Sequence, residues 1–537
     1  MAVIKRGVGF TSTEKNLAAL ADKSFLNLWT YPNLFGSAGK ELCDLFVVCG
    51  DDILIFSDKS INWSSGANVK VAWPRWYRKA IAKSAAQING AARYLRDHAD
   101  QLFLDAACKE RFPLTLPPAE RRRVHLIAVA LGASEACAEY RKEAPGYLAI
   151  NPALKGDDHT NTGADGFKPF AIGDVQPDGG FIHIFNEPAF ELLARELDTV
   201  TDFTRYLMRR ERIIRSGHLA PVAGEHELLA QYLISGGPDE EHDFRRSGGG
   251  EWRQGEKLEI PAGTYAALAA QPGYEARKEA DKVSYKWDML LGLFTDSILK
   301  GEAEGAKGET PDPSEVEQGL RSLALEPRLS RRLLGCSVVD AMKTAEDKKA
   351  ARFARNIVPT PRSADEKVGY VFLILAHHGE GPGPAYDQYR KRRRVMLRGY
   401  CLSMLQGNRN LKRAVGIGID ASSKVTGRAG GTEDFYALEV DAWTPELDQQ
   451  AEELKKELGL LKPENVTDST ASVDEFPRVV ASSRLPAPEK AGVTLVRDPD
   501  WPNMWRLRLP NGQLTDMVNL TRANDAARSL SRRDSDV

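Results

Sequence analysis

Asp44 and Lys59 stand fifteen residues apart in the stretch ELCDLFVVCGDDILIFSDKS (41–60), each on an otherwise apolar strand beside a tight turn. A two-residue loop at Gly50-Asp51 closes Cys49 against Asp52 and fixes the register, so that Val48 faces Ile53, Phe46 faces Ile55 and Asp44 faces Ser57. Side chains alternate along a strand, which puts Ser57 and Lys59 on the face of Asp44, with Lys59 on the reachable diagonal. A carboxylate, a hydroxyl and an ammonium therefore meet at one end of an apolar hairpin. One reading is a cross-strand ion pair at a sheet end open to water. The other is chemistry, because a carboxylate is a hard oxygen ligand and an ammonium can steady an anion.

The elements that would position these groups can be read on both sides of the hairpin. A helix is expected over about 13–29, a second over 74–96, and a strand in VHLIAVALG (124–132), followed by GFIHIF (180–185) and a long helix. Stretches rich in glycine, proline and polar residues at 155–170, 235–256, 300–314 and 379–384 break the chain. They divide it into 1–235 with an insertion at about 145–180, a mostly helical region 257–355, a second small α/β unit 360–465, and a hairpin-helix module 490–530 turning at Asn511-Gly512. The expected fold class is α/β multidomain.

Composition narrows the function classes. The chain has 537 residues, 42% apolar and 28% charged, and no apolar run near the length that spans a bilayer, so a soluble protein without a membrane partner is expected. The start MAVIKRGVGF is too short and polar for a secretion signal, and six scattered cysteines without CxxC spacing fit a reducing cytoplasm. A net charge of −2 gives no global signature of nucleic-acid binding. Arginine is concentrated in ERRRVH (120–125), RYLMRRERIIR (205–215), LSRRLLG (329–335) and YRKRRRVMLR (389–398). Such runs are either solvated helix faces or, together, a phosphate track. GIGID (416–420) lacks a nucleotide-binding glycine pattern, His377-His378 lacks a third metal ligand in sequence, and Glu433-Asp434 reads as a surface turn.

Asp44 followed by Lys59, across a hairpin whose second strand ends ILIFSDK, resembles the metal-binding signature of the PD-(D/E)XK nuclease superfamily, nearest its nuclease-related (NERD) and Mrr-like branches. The order helix, meander, helix, strand over about 10–135 is similar too. The resemblance implies a restriction-endonuclease-like α-β-β-β-α-β core within 1–235. It implies Mg²⁺ or Mn²⁺ held by Asp44, by the backbone near Asp58 and by a second carboxylate, with Lys59 orienting a water or stabilising charge. Ser57 departs from the pattern, which has Asp or Glu at that position; some restriction enzymes of the superfamily carry Ser-x-Lys and take a glutamate from a neighbouring helix. Two residues could supply the missing charge. Glu14 faces inward on the first helix, although Thr11-x-x-Glu14 is also a capping box. Glu41 lies three residues before Asp44 and would need a bulge to turn inward. On the helix after the hairpin, Lys79, Lys83 and Gln87 recur every four residues. They form a solvated stripe or, as the resemblance implies for Gln87 and Lys83, hold the scissile phosphate or the attacking water. The implied activity is metal-dependent hydrolysis of nucleic acid, DNA ahead of RNA and internal cutting ahead of end trimming, in a bacterial cytoplasm and in defence against foreign or phage DNA. The rival is a nuclease-like domain without catalysis that binds nucleic acid or protein, for which Ser57 speaks. The later domains would recognise substrate, form a homo-oligomer or bind a protein partner.

Overall fold

A computed structural model describes residues 3–37, 39–163, 166–236, 241–246, 249–302, 312–358, 367–381, 383–427, 431–461, 466–469, 471, 473–477, 494–497, 504–509, 513–514 and 518–519. The chain forms two compact units, Met1–Glu475 and Phe476–Val537. The first begins with α1 (Ser12–Phe25), capped by the Thr11 hydroxyl and burying Leu17, Ala18, Ala21 and Phe25. It is shorter than expected: Leu26 takes a positive φ of 68° and ends the helix, and the chain turns into strand β1 (Thr30–Gly36). Strands β2 (Glu41–Cys49) and β3 (Asp52–Ser60) follow. Next come α2 (Val69–Tyr77), a π turn over Arg78–Ala82, α3 (Lys83–Asp97), β4 (Leu102–Phe103) and β5 (Arg123–Leu131). Then follow α4 (Ser134–Arg141), β6 (Ala149–Lys155), β7 (Ala171–Asp174), β8 (Ile182–Phe185), α5 (Glu187–Glu196), α6 (Val200–Arg215) and α7 (Glu225–Ile234).

These strands make a six-stranded sheet in the order β4-β1-β2-β3-β5-β8. β1, β2 and β3 are antiparallel neighbours, whereas β5 joins β3 in parallel, with Ser57 beside Ala128 and Lys59 beside Ala130. Both faces of β2 and β3 are buried, because α1 packs on the sheet and α3 packs on the same two strands. Continuous apolar runs rather than alternation are the sequence mark of a strand covered on both sides. The hairpin register is Cys49 to Asp52, Val48 to Ile53, Phe46 to Ile55 and Leu45 to Phe56. Gly50 supplies the positive φ, 64°, that the two-residue loop needs at its first position. The ladder stops before Asp44 and Ser57.

The region after α7 is helical: α8 (Thr264–Ala269), α9 (Pro272–Asp281), α10 (Tyr285–Leu299), α11 (Pro313–Ala324) and α12 (Arg328–Asp347). A second sheet, in the order β12-β11-β10-β9, is built from β9 (Arg352–Ile357), β10 (Val368–Leu375), β11 (Arg413–Asp420) and β12 (Glu433–Glu439). β10 and β11 are parallel and joined by α13 (Pro384–Gly407); α14 (Ser423–Thr426) and α15 (Pro445–Leu458) complete the unit. The glycines of GIGID serve packing: a Cβ on Gly418 would stand 3.0 Å from Leu397 and 3.1 Å from Arg393 of α13. In the second unit β13 (Thr494–Arg497), β14 (Met504–Arg508) and β15 (Val518–Asn519) pair antiparallel. The expected turn at Asn511-Gly512 and the helix after it lie outside the described residues. No helix among the described residues is long and apolar enough to cross a membrane.

Candidate functional site

The end of the hairpin ladder is held open by Asp44. Its Oδ2 accepts the Asp58 backbone N–H at 2.5 Å, replacing the ladder bond that a paired strand would make there. Its Oδ1 accepts Gln87 Nε2 at 3.0 Å, and Lys59 Nζ stands 3.7 Å from Oδ2. The Asp44 carboxylate is only 5% exposed, whereas a third of the Lys59 side chain reaches solvent. Ser57 is fully buried; its hydroxyl donates to Gln87 Oε1 at 3.1 Å and lies 3.2 Å from the Ser84 hydroxyl. One amide of α3 therefore ties together Asp44 and Ser57. Both residues point to the α3 face, as strand alternation requires.

Asp58 lies on the other face. It is 7% exposed, and neither carboxylate oxygen has a hydrogen-bond partner at bonding geometry. Burial pushes its carboxyl up to about 6, the Thr13 hydroxyl opposes the shift, and the charges of Asp44 and Glu14 add to it while Lys59 subtracts. A buried carboxylate in this state lacks a counter-charge, because the neighbouring acids outnumber the one lysine.

Glu14 and Glu41 meet at Asn33. This buried residue of β1 adopts φ +53°, a conformation that asparagine tolerates better than most, and donates its Nδ2 to Glu14 Oε2 at 3.0 Å and to Glu41 Oε1 at 2.7 Å. Glu14 also caps its own helix: its N–H donates to Thr11 Oγ1 at 3.2 Å, and its carboxylate accepts the Phe10 N–H at 2.8 Å. Burial raises the Glu14 carboxyl, but the bonds from Asn33, Phe10 and Thr11 outweigh it and hold the group below its ordinary value. Glu41 goes the other way. Burial raises it, Asn33 only partly compensates, and Asp44 and Glu14 repel its charge. The turn that brings Glu41 here is a bulge: Leu34 pairs with Cys43 but Phe35 pairs with Glu41, which leaves Leu42 as the extra residue. Among the described residues, no three His, Cys, Asp or Glu side chains form a group that could hold a metal.

The helix over the site separates the two remaining candidates. Gln87 is half-buried against Asp44, whereas Lys83 is exposed and makes no hydrogen bond or ion pair among the described residues. Lys83 belongs instead to a set that sequence reasoning missed. Lys70, Arg75, Arg78, Lys79 and Lys83 are all exposed along α2, the π turn and α3, and none has an acidic partner among the described residues. The signal was present in the sequence: from Ser60 to Arg96 there is no aspartate or glutamate at all.

Several arginines of the basic runs behave oppositely, although Arg121, Arg123 and Arg392 stay exposed. Arg393 is fully buried and bonds Asp420 and, at 2.7 Å, Asp434, which also receives Arg390 at 2.8 Å and Arg394 at 3.3 Å. Asp434 is thus a buried strand residue rather than part of a surface turn. Arg210 grips Glu225 at 2.9 Å, Arg328 pairs with Asp198 at 2.8 Å, Arg331 with Asp288 at 2.6 Å and Arg332 with Asp281 at 2.6 Å, all four arginines being buried. These guanidiniums are spent on internal carboxylates and cannot line a phosphate track. No family model, no curated protein and no solved structure matches this chain.

Proposed function

We propose that the N-terminal α/β region is a metal-dependent nuclease of the PD-(D/E)XK type that hydrolyses phosphodiester bonds, DNA ahead of RNA. The observation that carries this reading is the pair at the splayed end of the hairpin, Asp44 buried and Lys59 reaching solvent at 3.7 Å from it. The order α1, β1-β2-β3, α2–α3, β5, with β5 parallel to β3, is the arrangement that superfamily uses. The five cations of α2–α3 that have no acidic partner among the described residues give a polyanion somewhere to lie.

The oxygen donor beside Lys59 is of the kind a hard divalent cation such as Mg²⁺ or Mn²⁺ takes, the Asp44 carboxylate being fixed on the α3 face, whereas the unpartnered Asp58 carboxylate lies on the other face. The Asp44 carboxylate on the α3 face and the backbone carbonyl near Asp58 would hold it, and a further carboxylate would have to come from Glu41 or Glu14, which Asn33 already engages. A bound cation would supply polarisation of the phosphate and a more acidic water. The chain's own groups do the rest. Asp44 is fixed by the Asp58 N–H and Gln87, so it cannot rotate away from its role. Lys59 offers ammonium protons to an oxygen that gains negative charge. Gln87 acts through Asp44 and is a positioning residue, because both ends of its amide are already engaged.

A second reading is favoured by Ser57, buried and neutral where the superfamily places an acid: a nuclease-like domain that binds without cutting. One experiment separates the two. Purified protein is incubated with plasmid, linear duplex and single strands in Mg²⁺, Mn²⁺ or EDTA. The nuclease reading expects metal-dependent cleavage that both Asp44→Asn and Lys59→Ala abolish with the circular dichroism spectrum unchanged. Binding with no cleavage in either metal would establish the second reading, and cleavage that survives both substitutions would move the chemistry elsewhere.

A further inference from the structure

Beyond Lys59 the chain opens a crevice of about 870 Å³ between the ends of the two parallel strands β3 and β5. Its walls are unlike the site itself. Phe170 forms a buried aromatic floor, Trp63 packs on it at 4.9 Å between ring centroids, and Tyr140 packs on it from α4 at 5.4 Å. Tyr140 is 53% exposed, so an open aromatic face looks into the crevice. Glu135 and Glu139, one turn apart on α4, and Glu187 at the start of α5 complete the lining. All three are exposed, and none has a hydrogen bond or ion pair among the described residues. The Trp63 backbone N–H donates to Gly132 O at 3.2 Å, which ties this segment to the residue after β5. Gly132 lies two residues past Ala130, the strand partner of Lys59, a step of roughly 7 Å.

These walls suit one chemistry. Free carboxylates repel phosphate, so the crevice is not where a nucleic-acid backbone runs. Aromatic rings take the flat face of a nucleobase, and stacking of this kind contributes about 1–3 kcal/mol per base. Carboxylates accept hydrogen bonds from the base edge and offer none in return. Among the bases, guanine presents an adjacent imino and amino donor that one carboxylate can take together, cytosine and adenine present an amino donor, and thymine lacks the amino group. The size of the crevice falls in the usual range for small-ligand sites.

We propose that this crevice receives an unpaired nucleobase next to the phosphodiester held at Asp44 and Lys59, and that it selects bases with a donor edge, guanine first. The inference rests on the nuclease reading for its place beside a scissile phosphate, but its recognition chemistry can be tested without any cutting. Saturation-transfer NMR with free guanosine, cytidine, adenosine and thymidine, in EDTA on the full chain, reads base contact alone. Guanosine is expected to bind at least about tenfold more tightly than thymidine, the discrimination that one bidentate pair gives. Tyr140→Ala, at an exposed position that leaves the fold intact, should remove most of the signal. Trp63→Ala should do the same and Trp63→Phe should restore it, which separates stacking from damage to the wall. Glu135→Gln with Glu139→Gln should level the base order. No transfer from any nucleoside, or guanosine no better than thymidine, or a signal unmoved by Tyr140→Ala, overturns the proposal. Base binding in a protein that never cleaves would refute the nuclease while leaving the subsite standing; cleavage without base binding would do the reverse.

Discussion

Asp58→Asn is the most informative single change, because it should stabilise the protein by removing a buried charge that lacks a partner. The wild-type carboxyl is raised from the usual 3.8 to about 6, by burial first and then by Asp44 and Glu14. A carboxyl raised on folding is protonated in the native state while still ionised in the unfolded one, so the native state binds more protons between about pH 4 and 6 and stability falls as pH rises through that window. Above pH 6 both states are ionised and the full cost is present; below about 4 both are neutral and it vanishes. The shift corresponds to at most about 3 kcal/mol, and the cost of burying an asparagine amide that finds no partner there lowers the expected gain to about 1–2 kcal/mol. Asparagine keeps the shape and removes the charge. In EDTA at pH 8 the variant should therefore be more stable than wild type by about 1–2 kcal/mol, and at pH 4 the two should converge. Millimolar Mg²⁺ or Mn²⁺ should shift wild type and variant alike, because the Asp58 side chain lies on the face opposite Asp44. The assay is differential scanning fluorimetry at pH 4, 6 and 8, with EDTA or metal. A variant less stable than wild type at pH 8 in EDTA would mean that Asp58 already has a favourable partner, and the account of an uncompensated charge would be wrong.

Two further outcomes follow from where the cations lie. Arg393→Ala should cost about 3–5 kcal/mol by leaving Asp420 and Asp434 buried with lost partners, whereas Arg392→Ala, at an exposed position, should stay within about 0.5 kcal/mol; urea denaturation compares them. Replacing Arg75, Arg78 and Lys83 together should leave the unfolding curve in place and flatten the salt dependence of DNA binding by up to about three counterions. An unchanged slope in a fluorescence-anisotropy titration would return that helix to a merely solvated face.

What could be read from the sequence was local. The register of the β2–β3 hairpin follows from a two-residue loop and an apolar run, and the observed pairs from Cys49 to Leu45 are those the loop dictates. What could not be read depends on contacts between distant segments. Strand β1, which begins at Thr30 just past the expected helix, was not located because the end of α1 is set by Leu26 at positive φ, which no composition signal announces. Asn33 carried no expectation at all, yet it holds Glu14 and Glu41 with one amide, because a bulge in β2 and a left-handed turn in β1 coincide there. Asp58 looked unusable through its side chain, since alternation turns it from Asp44. The structure keeps that geometry and adds burial, which makes the same side chain the most perturbed acid of the group.

The basic segments show why density of arginine is a poor guide to a surface that meets phosphate. An arginine run inside a helical region with nearby acids is drawn inward, where each guanidinium gains several charge-assisted bonds, as Arg328 does with Asp198 and Asp288. A cation stays available only where the sequence supplies no acid to claim it, and the acid-free stretch from Ser60 to Arg96 meets that condition. The lining glutamates of the crevice meet the converse condition, being acids without a cationic partner among the described residues. Lys59 directly precedes the acid-free stretch and pairs in the sheet with Ala130, two residues before Gly132 of the crevice. A bound strand would then be sorted by sign, its phosphates toward α2–α3 and a base toward Glu135 and Glu139, with the bond to be cut at the boundary. Reversing one side alone tests the sorting: Glu135→Lys with Glu139→Lys should strengthen overall DNA affinity at low salt yet reduce cleavage, because the backbone would gain a second, unproductive place to lie.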